Sequence, residues 1–171
     1  MVFLGYSIFL IFFFSIQTTI LGLFSVAGVT PDLMLIFALY CGIYFQGNTG
    51  VAMAGITGFI QDCLSGSLLG VNVFSKGLTS FFVSNLKNQL MLENIPTVCS
   101  LLVCSSFFDG LLHHSISIML LEGGIADDFL FPSLLLFAVY NAVIGPFLFL
   151  FLNWIRKRFR KKTSFSSRHL S

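Results

Sequence analysis

An all-α integral membrane protein, folded as a bundle of six transmembrane helices, is the expected architecture of this sequence, and three observations carry that expectation. First, 56% of the 171 residues are hydrophobic and only 9% are charged, against about 25% charged in a soluble domain. So few charges cannot cover a water-facing surface. Second, several apolar segments approach the ~20 residues that span a hydrocarbon core. They are continuously apolar rather than alternating, which favours helices with internally closed hydrogen bonds over a β-barrel. Third, seven of the nine Lys and Arg residues fall in the last sixteen positions, after the final apolar segment, as in a chain oriented across a membrane by its basic end.

The first helix is expected over residues 2–24. No basic residue precedes it, and its apolar run exceeds the ~7–15 residues of a signal-peptide core, so it reads as a retained span. Gly28 and Pro31 break the chain before a second helix that continues to about residue 45. Pro31 suits a first helical turn, and Asp32 stands where an acid favours the helix N-terminus. Gln46, Gly47 and Asn48 make a tight turn into a third helix over about 49–64. The glycine- and serine-rich 65–70 stretch is a loop. A fourth helix over about 71–86 has two faces: Phe74, Leu78, Phe81 and Phe82 on one, and Asn72, Ser75, Lys76, Thr79 and Ser80 largely on the other. That periodicity turns the polar face toward the bundle and the phenylalanines toward lipid or a partner. After a polar turn containing Lys87, Pro96 opens a long fifth helix to about 121, tilted or broken near Gly110. Glu122, Asp127 and Asp128 form an acidic loop. Pro132 begins a sixth helix that ends near Trp154 and is expected to kink at Pro146.

The domain organisation is then a six-span domain over 1–155 and a basic cytoplasmic tail over 156–171. Trp154, Arg156, Lys157, Arg158, Arg160, Lys161 and Lys162 anchor the topology, placing the C-terminus in the cytoplasm, and an even number of spans returns the N-terminus to the same side. Lys87 falls on that side too, while Asp32, Asp62, the 65–70 loop and the acidic loop fall outside. The basic cluster can also meet anionic head groups. Seven basic residues beside a last membrane helix are explained by topology, so no nucleic-acid partner is expected. Cys41, Cys63, Cys99 and Cys104 show no CxxC or CxxxC spacing and read as buried, unpaired thiols.

Gly50, Ala54, Gly58 and Asp62 recur every four residues on one stripe. Small side chains at this spacing let another helix approach closely. The stripe serves internal packing, or its outer end presents Asp62 to a partner or cavity. Asp32, Asp62 and Lys76 fall near one membrane level. Either they form an ion-paired cluster, which would offset the ~2.5–3.5 kcal/mol cost of a lone charge at the bilayer centre, or each snorkels to the interface. Asp109 and His113 share a face of the fifth helix and are expected to form a hydrogen-bonded pair. No third ligand of suitable spacing accompanies them as in a metal site. No GxSxG, no phosphate loop, no dinucleotide fingerprint and no assignable acid, base and nucleophile occur. An enzyme and a cofactor are therefore not expected.

In Pro31, Asp32 and Leu33, then Gly50 and Gly58, then Asp62 with Ser65 and Gly66, and Leu69 and Gly70 before Asn72, the chain resembles the MreD family, the rod shape-determining membrane proteins of bacteria. These motifs cover about a quarter of the chain, and the layout and basic end fit along the rest. The resemblance implies a non-enzymatic scaffold of the cell-elongation machinery in the inner membrane. Its partners would be an MreC-type single-span protein and, through it, MreB filaments and cell-wall synthases. Pro31, Asp32, Gly50, Gly58, Asp62, Ser65, Gly66, Gly70, Asn72 and Lys76 would then organise the end of the bundle where a partner docks, and self-association stays open. A more remote resemblance, to the six-helix substrate-binding components of energy-coupling-factor vitamin transporters, implies the alternative of a solute-binding transport component.

Overall fold

The structure is a computed structural model. It describes residues 15, 17, 25, 28–45, 47–65, 69–87, 94–120 and 130–166, with backbone alone at 117, 120, 130 and 159–166. Five helices follow one another among the described residues: α1 (Leu33–Tyr44), α2 (Asn48–Ser65), α3 (Val71–Leu86), α4 (Ile95–Leu120) and α5 (Leu130–Ser166). They correspond to the second to sixth expected helices. Ser15 and Gln17 are helical, and the rest of the first expected helix lies outside the described residues, as does the acidic loop.

α1 is the central post. Its residues from Leu33 to Ile43 are all buried, and it packs against α2, α3, α4 and α5. A helix that is apolar all round belongs inside. Twelve residues rise only about 18 Å, short of the ~30 Å hydrocarbon core. Met34, Phe37 and Tyr40 meet Leu102 of α4 and Phe149 and Leu152 of α5 in the core, where the rings of Tyr40 and Phe149 lie edge to face at 5.5 Å.

Glycines set the close approaches. A methyl group on Gly50 would stand 2.6 Å from the Cys41 carbonyl oxygen, and one on Gly42 would stand 2.6 Å from that of Ser80. At Gly58 it would collide with the backbone of Asn72 and Val73. α2 thus lies backbone to backbone on both α1 and α3. α4 and α5 form a second hairpin, where Gly110 admits Leu134 and Gly145 admits Leu102.

The two faces of α3 separate as their periodicity requires. Asn72, Ser75, Lys76, Thr79 and Ser80 are buried, while Phe74, Phe81 and Phe82 are exposed. Among the described helices, two are long and apolar enough to cross a bilayer, at Ile95–Ile116 and Phe131–Arg158. One expected boundary needs correction. The sixth helix does not end near Trp154: α5 continues to Ser166 with Pro146 inside it, because Arg and Lys are good helix formers and nothing in 155–162 breaks the ladder.

Candidate functional site

At the end of the bundle formed by the start of α1, the end of α2 and the start of α3 lies a buried polar network. Lys76 is its centre. Its side chain is wholly buried, and its Nζ stands 3.0 Å from Asp32 Oδ2 and 3.7 Å from Asp109 Oδ1. It also donates to Asn72 Oδ1 at 2.7 Å, one turn back along α3. The lysine stem reaches these acceptors without leaving the polar face of its own helix.

Asp32 is the N-cap of α1. Its Oδ1 accepts from the backbone N–H of Met34 at 2.9 Å and Leu35 at 3.1 Å, so the helix terminus that carries partial positive charge holds the carboxylate. Gln17 and Gln61 add side-chain donors, each at 3.3 Å. The Asp32 backbone N–H donates to Asn141 Oδ1 at 2.9 Å, and Asn141 Nδ2 donates to Ser106 at 2.8 Å. This ties α5 and α4 to the start of α1. Asp109, in mid-α4, accepts from Ser75 Oγ as well as facing Lys76.

Asp62 has a different task. It accepts from the backbone N–H groups of Gly70 at 2.9 Å, Asn72 at 3.1 Å and Val73 at 3.2 Å. Asn72 Nδ2 donates to it as well, at 2.9 Å. Gly70, the N-cap of α3, has φ 104° and no side chain with which to cap. Asp62 therefore caps α3 from the last turns of α2, satisfying N–H groups that a helix start leaves orphaned.

Of the expected cluster Asp32, Asp62 and Lys76, the structure joins Lys76 to Asp32 directly and to Asp62 through Asn72. The third member of the ion-paired group is Asp109. The expected Asp109–His113 pair is corrected. Each turns to α3, Asp109 to Ser75 and Lys76, and His113 to Asn72 Oδ1 at 3.3 Å. The cause is the polar face of α3, which offers both of them partners across the helix interface. Asn141, Ser106, Gln61 and Gln17 were not singled out from sequence. An amide in the last apolar helix was the one available signal.

A cavity of about 470 Å³ lies against this network. Asp32, Gln61, Asn72, Asp109 and His113 line its polar part, and Pro31, Leu134 and Phe137 its apolar part. Ser65 stands at its edge, and Gly66 lies outside the described residues. Gly50 and Gly58 are helix-packing positions away from the cavity. Two carboxylates, Asp32 and Asp109, with His113 beside them, can hold a hydrogen-bonding or cationic group. Among the described residues no three His, Cys, Asp or Glu side chains converge as a metal set.

The topology residues gather at the opposite end. Lys87 Nζ donates to the carbonyl of Phe45 at 3.0 Å. Arg156 lies over the Tyr44 ring, 4.2 Å from its centroid. Trp154 is exposed, with Arg158 5.2 Å from its ring centroid, and Lys157 is exposed while Arg156 is half-buried. Arg160, Lys161 and Lys162 continue the α5 backbone.

Compared with known proteins, residues 1–155 match a family model described as rod shape-determining protein MreD. No curated protein and no solved structure matches the chain.

Proposed function

We propose a function from one premise: the chain belongs to the MreD family of rod shape-determining proteins. It is a membrane protein of the system that sets rod shape in bacteria. Our finer reading is that it is a non-enzymatic scaffold. It binds an MreC-type bitopic protein and through it couples MreB filaments to peptidoglycan synthesis. The observation that carries this reading is the buried network around Lys76. It ties the five described helices together at one end of the bundle through hydrogen bonds and ion pairs. Buried polar networks with most members satisfied favour one arrangement of helices over others, and a docking surface needs that constancy. A partner helix would gain little per contact, about 0.6 kcal/mol per interhelical hydrogen bond in a membrane, so the surface has to present many contacts at once.

Co-purification from mild detergent tests it. The MreC-type protein of the same bacterium is expected to be enriched on the tagged full chain over an unrelated six-span protein, and equal recovery of both sinks the reading.

The 470 Å³ cavity favours a second reading, a solute-binding component of a transporter, since pockets of a few hundred Å³ with a few convergent polar groups are where small ligands bind. Depletion in the native bacterium separates the two. Swelling and loss of rod shape support the scaffold. Normal shape with a new nutrient requirement supports transport.

A further inference from the structure

At the end of the bundle away from Lys76 is a second cavity, of about 400 Å³, between the end of α1, the start of α4 and the last membrane turns of α5. Its lining changes character along the axis of α5. Ile95, Val98, Pro146 and Leu150 make an apolar wall, and Asn153, Arg156 and Lys157 make a polar edge. The apolar run of α5 spans Phe131–Arg158. The wall is therefore at hydrocarbon depth and the polar edge at head-group depth, where the exposed Trp154 also stands.

The edge is cationic. Among the described residues neither Arg156 nor Lys157 has a carboxylate within ion-pair distance. Arg156 is also not free to wander in solvent. Its guanidinium carbon sits 4.2 Å from the centre of the Tyr44 ring, a contact through the ring face that consumes none of its N–H donors. Among the described residues the buried Asn153 Oδ1 has no hydrogen-bond partner, so it is an acceptor open to a donor.

We propose that this cavity is a binding site for the head group of an anionic phospholipid. The phosphodiester would meet Arg156 and Lys157, a head-group hydroxyl would donate to Asn153, and an acyl chain would lie along the wall. A basic pocket between membrane helices suits this chemistry, and a guanidinium held in place binds phosphate oxygens through paired N–H groups. The site is independent of the partner reading above.

The full chain in mild detergent is titrated with dihexanoyl phosphatidylglycerol, with dihexanoyl phosphatidylcholine and with inorganic phosphate, and its thermal midpoint is followed. Phosphatidylglycerol is expected to raise the midpoint saturably and the other two are not. The Arg156→Gln, Lys157→Gln double variant should bind phosphatidylglycerol about 30-fold more weakly, at roughly 1 kcal/mol per basic residue. Lys161→Gln with Lys162→Gln, which removes the same charge about one turn further along α5, should bind as the parent does. An equal response to phosphate overturns the lipid in favour of a free anion. An equal response to phosphatidylcholine, or equal weakening by both double variants, overturns the site. Native mass spectrometry of the parent protein provides a readout that needs no variant. Retained anionic phospholipid above its share of the membrane supports the proposal, and retention in proportion to the membrane contradicts it.

Discussion

Lys76 shows what a buried charge demands. Its side chain is wholly buried, so every neighbour within reach has become an acceptor: Asp32, Asp109 and Asn72. Removing one member of such a group leaves the others charged and unpaired, which costs more than the pairing itself contributes. Lys76→Met is therefore expected to destabilise the fold by about 3–5 kcal/mol. Adding Asp32→Asn and Asp109→Asn to it should recover part of that loss, since the repelling carboxylates are gone. Thermal unfolding in detergent measures both, and a triple variant no more stable than Lys76→Met would show that the charges are not coupled. Asp32 and Lys76 were legible in the sequence because a charge amid apolar residues is expensive and so conspicuous. Asn141, Gln61 and Ser106 were not, because uncharged polar side chains cost little in a membrane helix and leave no mark on its pattern. The capping role of Asp62 was hidden for another reason. It depends on where the chain returns after the 65–70 stretch, which spacing along one helix does not encode.

Between helices, the glycines decide how near two backbones come. Gly58 meets the carbonyl of Asn72, so any side chain there pushes α2 from α3 and pulls Asp62 from the N–H groups that it caps. Gly58→Val is expected to destabilise by about 1–3 kcal/mol from overpacking alone. Gly55, one turn earlier on α2 with nothing within 4 Å of an added methyl, should accept Ala with stability unchanged or slightly raised. Unfolding midpoints for the two variants test this, and equal losses would refute a position-specific role. The helix extents were largely readable. The fourth expected helix, 71–86, coincides with α3, and the third differs from α2 by one residue at each end. The extent of the long last helix is not readable from its basic residues, because the bilayer ends at charge and the helix does not. That α1 is enclosed on all sides was unreadable, since a side chain facing lipid and one facing protein are equally apolar.

The molecule is polarised from end to end. The carboxylates of Asp32 and Asp62 sit at the start of α1 and the end of α2, whereas Lys87 and Arg156 meet Phe45 and Tyr44 at the opposite end of α1. Bases collect on the cytoplasmic side during insertion and acids contribute little, so the Lys87 and Arg156 end is expected in the cytoplasm and the Lys76 network near the outer leaflet. On that expectation the C-terminus would lie inside the cell, as would the N-terminus if the chain crosses an even number of times. A fluorescent protein fused after Ser171, which matures only in the cytoplasm, is expected to glow. Alkaline phosphatase inserted at residues 66–68, active only outside, is expected to be active. The reverse pair of results would put the network in the inner leaflet, out of reach of the external domain of an MreC-type partner. The scaffold reading would then have to move its docking surface to the faces of α3 and α5 that meet lipid.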